Sequence, residues 1–273
     1  MAAYKKTTGV MRDRGVRLEF DGKDIRGTNG TEIFTRATQL FDHFQYGAGA
    51  FNSHVPQNWV TTETGAATPY APGAAAIGGL AIAVTGAVTD NAEELAGKDV
   101  AWKASTQALE RPLSLEARVK SVGATTPTDG SFFIGFCNAV TTGAGITFAI
   151  SAASAVTAPP TEFAGFGYSS IPSSGALFLA GGNPLFAISS KAAAAAQTVV
   201  STVVKDSLFH IYRVEVDVNG DAWYFIDDKY VGQKANAVTA ATALTPYISG
   251  LAKNSHTNTM TVDYIQVAGG LAA

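Results

Sequence analysis

Between residues 113 and 120 apolar and polar positions alternate strictly, with Leu113, Leu115, Ala117 and Val119 on one side and Ser114, Glu116, Arg118 and Lys120 on the other. A period of two is the pattern of a strand that buries one face and gives the other to water. Residues 132–137, Phe-Phe-Ile-Gly-Phe-Cys, are apolar or glycine throughout, which predicts a central strand covered on both faces. Over residues 210–218 the alternation returns: Tyr212, Val214, Val216 and Val218 point one way, Arg213, Glu215 and Asp217 the other. Asn219-Gly220 then suits the two positive-φ positions of a type I′ turn, so a β-hairpin is predicted, with residues 222–226 returning. Asp227-Asp228-Lys229 predicts a second turn into Tyr230-Val231, and later strands are predicted over 246–251 and 257–267. Helical periodicity of useful length is absent; Leu95 and residues 192–196 would hold a turn or two of helix at most. Many strands, Gly-rich turns and no βαβ alternation predict an all-β antiparallel β-sandwich from about Thr38 onward.

Composition sharpens this picture. Only 15% of the 273 residues are charged, against about 25% in ordinary soluble domains. With 47% hydrophobic residues and a net charge of −3, charge-driven disorder is excluded and one large core is feasible. Residues 64–89 and 130–191 are long and nearly uncharged, Glu162 being the one charge before Lys191. Both are rich in Ala, Gly, Ser, Thr and Pro rather than Leu, and read as strands and loops instead of membrane spans. One cysteine, Cys137, excludes a disulfide framework and zinc motifs built on paired cysteines. Met1 to Thr8 contains no apolar run after Lys5 and Lys6, so no secretory signal is visible and folding in a cytoplasm is expected.

Charge is unevenly placed. Residues 1–36 hold Lys5, Lys6, Arg12, Arg14, Arg17, Lys23, Arg26 and Arg36 against five acids, a net of +3, leaving −6 on the remainder. This segment has several glycines and few bulky residues, too little for a core. Residues 1–37 are therefore read as an extended basic N-terminal arm that gains order against a partner, and residues 38–273 as the sandwich. The eight cations are its candidate docking residues.

Reactive constellations are weak. Glu215 and Asp217 share a strand face, the spacing of an acid and nucleophile pair in glycoside hydrolysis, but Asn219 follows where a third acid would serve and Arg213 shares their face. Calcium ligation by the same pair lacks an acidic loop of suitable spacing. His43, His54, His210 and His256 are scattered outside any His-Glu-x-x-His frame, and an apolar strand disfavours a Cys137 thiolate. The stretch from Gly47 to Asn52 lacks the third glycine of a dinucleotide site. Asn29-Gly30-Thr31 fits a glycosylation frame, which has meaning only in a secreted chain. The arm's five acids and few aromatics argue against direct nucleic-acid binding. No cofactor is expected. Trp59, Trp102 and Trp223 are read chiefly as core; a carbohydrate-binding role would need aromatics exposed on one face.

The order of the segments resembles the concanavalin-like, laminin-G-like jelly rolls found among virion structural proteins of tailed phages. The likeness runs from Gln39 to Val267 through residues 39–44, 80–86, 115–120, 133–136, the hairpin of 212–231, and Val262-Asp263-Tyr264-Ile265. It implies a non-enzymatic capsid decoration or cement protein, assembled in the host cytoplasm and bound to the capsid exterior, where it bridges major capsid protein subunits. Such proteins commonly form homo-oligomers, often trimers. The chain lacks the metal-loop spacing and catalytic acids of the fold's lectin and glucanase branches. Two alternatives stand beside it: a carbohydrate-binding module on a virion surface or tail, and, third, a glycan-cleaving sandwich enzyme. Low charge with abundant small residues suits permanently covered faces, since few ions need be buried.

Overall fold

The computed structural model describes residues 9–13, 16–20, 38–42, 59–64, 68–72, 80–85, 91–97, 101–106, 112–123, 130–139, 149–150, 156–157, 160–169, 185–192, 194–200, 206–252 and 257–269; for 9–20 it describes backbone alone. The strands run in the order β1 (Gly9–Asp13), β2 (Val16–Phe20), β3 (Thr38–Asp42), β4 (Trp59–Thr64), β5 (Thr68–Pro72), β6 (Leu80–Thr85) and β7 (Asn91–Gly97). There follow β8 (Trp102–Lys103), β9 (Leu113–Gly123), β10 (Gly130–Cys137), β11 (Ala149–Ile150), β12 (Val156–Thr157) and β13 (Phe163–Ser169). The last are β14 (Leu185–Lys191), β15 (Ala194–Val200), β16 (Phe209–Val216), β17 (Ala222–Ile226), β18 (Lys229–Lys234), β19 (Ala243–Ala252) and β20 (Thr257–Gly269).

Two eight-stranded antiparallel sheets face each other. One has the order β15-β14-β13-β10-β19-β7-β4, with β8 also on β19; the other has β18-β17-β16-β9-β20-β6-β5, with β3 also on β20. These are called the β10 sheet and the β9 sheet. Their facing sides share one core, in which Leu113, Leu115 and Val119 of β9 and Val214 and Tyr224 of the hairpin meet Ile134 and Phe136 of β10 and Phe166 of β13. Burial of each such side chain stabilises by about 1.5–3 kcal/mol. The all-β antiparallel sandwich is thus as the alternation predicts, and β10 is central and buried on both faces.

Three local expectations are overturned. Leu95 and residues 194–200 are not helical: they lie in β7 and β15, where backbone pairing with β4, β19 and β14 outweighs a short isolated helix. Among the described residues the sole helical turn is a 3-10 turn, Ala104–Thr106. No described helix is long and apolar enough to cross a membrane. Glu116, expected to meet water, is only 7% exposed. A register shift between Val262 and Tyr264 interrupts the β9–β20 ladder; beside it the Tyr264 hydroxyl donates to Glu116 Oε1, and Arg118 pairs with Asp263.

The third correction concerns the hairpin. Asn219 does not take positive φ; Gly220 alone does, at 85°. The loop comprises Asp217 to Asp221. Gly220 N–H donates to Asp217 O, Asp217 N–H donates to Asp221 O, and Asp217 Oδ1 accepts the amides of Asn219 and Asp221. Asp217 therefore nucleates a longer loop than the Asn-Gly pair alone would form. The type I′ turn occurs one connection later, at Asp227 and Asp228, with φ of 51° and 62°.

In the basic segment, β1 and β2 form a two-stranded ribbon whose described pairing is with each other, Arg12 lying opposite Arg17 in the register. Lys5, Lys6, Arg14, Lys23, Arg26 and Arg36 lie outside the described residues.

Candidate functional site

The loop from Asp217 to Asp221 decides what the hairpin shows to solvent. A two-residue turn at Asn219-Gly220 would set Val216 against Trp223 and send that tryptophan into the core. The observed register instead pairs Val216 with Ala222, Glu215 with Trp223, and Arg213 with Phe225. A slip of one residue exchanges the two faces of a strand. Ala222, Tyr224 and Ile226 are buried, and Trp223 and Phe225 stand half-buried on the outer face of the β9 sheet.

Register carries this face across four strands. One row runs Gln233, Trp223, Glu215, Ser114; the next runs Tyr230, Phe225, Arg213, Glu116. Tyr230 is 56% exposed, and its ring meets that of Phe225 edge-on at 5.9 Å. The Arg213 guanidinium lies 4.5 Å from the centre of the Phe225 ring, with Nε 3.3 Å from Glu215 Oε1 and one terminal nitrogen 3.6 Å from Asp228 Oδ1. Farther along, Arg118 covers Phe209 at 4.4 Å and Lys120 lies 5.8 Å from the same ring. The result is a partly exposed surface that mixes ring faces with hydrogen-bonding groups. Its arginines lie beside carboxylates.

Glu215 and Asp217, set aside as a catalytic pair on their spacing, are engaged separately. Glu215 lies beside Arg213 and Trp223, and Asp217 leaves the strand to cap the loop, its second oxygen accepting from Asn219 Nδ2 at 3.2 Å. His210, at the end of β16, is held between two carboxylates: Nδ1 is 2.7 Å from Asp227 Oδ2 and Nε2 is 2.9 Å from Asp206 Oδ1. Burial pulls its pKa down, but the bonds and charges of Asp227 and Asp206 outweigh this and raise it from 6.5. The neighbouring Tyr212 hydroxyl is pushed up by burial and then by the same two carboxylates. Because the two carboxylates occupy opposite ring nitrogens, this triad cannot converge on one ion. Among the described residues no group of three or more His, Cys, Asp or Glu side chains could hold a metal.

Among the described residues, Glu162 and Cys137 make their polar contacts within the scaffold. Glu162, buried at 5% exposure, accepts from Thr239 N at 2.7 Å, Thr239 Oγ1 at 2.8 Å and Ala192 N at 3.0 Å, fastening the β18–β19 connection and the β14 end to β13. Cys137 is buried, and its thiol donates to Ala139 O. Trp59 and Trp102 belong to the core, apart from Trp223. His43, His54, His256, Asn29 and residues 47–52 lie outside the described residues.

The outer face of the β10 sheet has the opposite character. Phe133, Phe163, Phe186, Ile188, Cys137 and Tyr247 form a second apolar cluster there, all 7% exposed or less. The Phe133 ring lies over Gly135 and Gly165, where an added Cβ would come within 2.9 Å and 2.5 Å of it. This face is closed at those residues. The partly exposed aromatic surface belongs to the β9 sheet, and sequence reasoning missed Phe225, Tyr230 and Gln233 as its parts because it placed the hairpin in the other register.

No family model matches the chain, and no curated protein matches it. Solved structures do. The carbohydrate recognition domain of Emp47p superposes with a TM-score of 0.54 at 15% identity, covering 89% of this chain and 100% of that domain. The Emp46p carbohydrate recognition domain in its potassium-bound form gives 0.53 at 8% identity, covering 83% and 94%. A protein of unknown function from Shewanella oneidensis MR-1 gives 0.52 at 12% identity, covering 87% and 88%. At such identities the likeness shows the fold alone, an antiparallel jelly-roll β-sandwich shared with these domains. None of these neighbours is described as a capsid protein.

Proposed function

We propose that this chain is a non-enzymatic carbohydrate-binding domain. The observation that carries the reading is the outer face of the β9 sheet, where half-buried and exposed rings stand beside arginine, glutamate and glutamine side chains. Sugars present an apolar C–H face and a rim of hydroxyls, so a binding surface needs flat rings with hydrogen-bonding groups at their edges. The fold shared with the carbohydrate recognition domains of Emp47p and Emp46p supports the same reading. Hydrolysis is disfavoured because Glu215 sits beside a guanidinium and Asp217 is engaged by three donors of its own loop. The test is a glycan array probed with the intact chain, followed by calorimetry and a reducing-sugar assay on any hit. Saturable binding without sugar release is expected; an array with no retained glycan, or turnover of a bound one, overturns the reading.

A second reading, decoration of a phage capsid by bridging of major capsid protein subunits, draws on the sequence itself. The basic segment, net +3 over residues 1–36, is set against −6 in the remainder, which suits an arm that docks on an acidic shell. Its test is occupancy of purified heads by the full chain and by a chain lacking residues 1–37. Equal occupancy would remove the arm from the docking role, and no occupancy by either would remove the reading.

A further inference from the structure

We infer that the outer face of the β9 sheet binds acidic saccharides, the carboxylate or sulfate group of the sugar meeting the Lys120 ammonium beside Arg118, with the Thr261 hydroxyl on its other side. The inference rests on the carbohydrate-binding reading and adds to it a position on the face and a ligand class.

Register supplies the placement. Lys120 is half-buried on the outer face of β9, and its cross-strand partners are Phe209 of β16 on one side and Thr261 of β20 on the other. Such partners stand about 4.5–5.5 Å apart at their Cβ atoms. A ring and a hydroxyl therefore flank Lys120, and no carboxylate lies opposite it. Arg118, two positions earlier in β9, shares the face because side chains alternate along a strand. The Phe209 ring serves both cations, its centre lying 4.4 Å from the Arg118 guanidinium carbon and 5.8 Å from Lys120 Nζ.

Charge supplies the class. Of these two cations, Arg118 pairs with Asp263, whereas no described residue forms an ion pair with Lys120. Glu116 lies one row farther along, beyond Arg118, and accepts from the Tyr264 hydroxyl. Like charges gathered at one ring repel each other, and an anion seated between them converts that repulsion into attraction. A guanidinium carries five N–H donors, and Asp263 engages it through one terminal nitrogen, so further donors serve the same anion. An uncharged sugar leaves the repulsion in place. The Thr261 hydroxyl and the Arg118 donors also suit the hydroxyls that flank the acidic group on a sugar ring.

The experiment titrates the full chain by calorimetry, at low and high salt, with hyaluronan and heparin oligosaccharides, malto-oligosaccharides and inorganic sulfate. The acidic oligosaccharides should bind, more weakly as salt rises, and at least tenfold more tightly than the malto series or free sulfate. Lys120→Ala should weaken them at least tenfold and Lys120→Arg should retain most of the affinity; Thr261→Val should cost several-fold with unchanged melting. The double variant Arg12→Ala, Arg17→Ala should bind as the native chain does. Acidic-probe binding that survives Lys120→Ala, or that is lost in the double variant instead, overturns this site while leaving a carbohydrate-binding domain in place. Equal or tighter binding of the malto series overturns the ligand class, and sulfate as tight as the oligosaccharides overturns recognition of a sugar there. Silence toward every probe overturns the inference, and silence that extends to the glycan array overturns the carbohydrate-binding reading as well.

Discussion

Glu162 is a carboxylate in an otherwise uncharged stretch of the chain, and its neighbours explain why it is tolerated at 5% exposure. Three protein donors satisfy it, two from Thr239 and one from Ala192. Glu162→Gln replaces an accepting oxygen by an amide that faces donors, and is expected to cost about 1–3 kcal/mol; urea denaturation of the two proteins measures it, and an unchanged midpoint would refute the clamp. His210 obeys different rules. Both of its nitrogens face carboxylates, an arrangement satisfied only by the protonated ring. Its folded pKa lies above the unfolded value of 6.5, so its contribution is fully present below that pH and is lost as pH rises through the folded pKa. Denaturation midpoints followed upward from pH 6.5 should therefore fall more in the native chain than in His210→Gln, and an NMR titration of His210 should report the raised pKa directly.

The hairpin is the element in which one backbone position has the widest consequences. Gly220 takes φ of 85°, and a Cβ there would lie 2.2 Å from Val238 O, the carbonyl of the residue whose own amide donates to Gly220 O. Gly220→Ala combines a left-handed backbone with a steric clash and is expected to cost about 1–3 kcal/mol, read as a lowered melting temperature. In the β10 sheet, Gly165→Ala should be at least as damaging, because the added carbon would fall 2.4 Å from Ile134 O and 2.5 Å from the Phe133 ring. Overpacking of this kind costs about 1–3 kcal/mol; a variant that melts with the native chain would show that the ring is free to move. Much of this element was legible in sequence. Tyr212, Val214 and Val216 face the core as their alternation predicts, and Ala222–Ile226 forms the return strand. The register was not legible, because Asn219-Gly220 is a strong turn signal and the competing pull of the Asp217 carboxylate on two amides is a matter of geometry.

For the whole molecule, the division between a basic leading segment and an acidic sandwich is a property of composition, and β1 and β2 pair with each other rather than with either large sheet among the described residues. Removal of residues 1–37 is therefore expected to leave the thermal transition of the sandwich within a few degrees of the full chain by calorimetry. A large loss of stability would mean that the segment belongs to the core. The chain by itself determined that the protein is an antiparallel sandwich, because a strand's period of two is written in adjacent residues and needs no partner to be read. It equally determined that β10 is covered on both sides. Only the tertiary structure decided which outer face is apolar and buried and which is partly exposed. That choice turns on a one-residue difference in a loop, which reverses where Trp223 and Phe225 point, and on two glycines that let Phe133 lie flat on the other sheet. Both depend on contacts between residues distant in sequence, where local pattern carries no information.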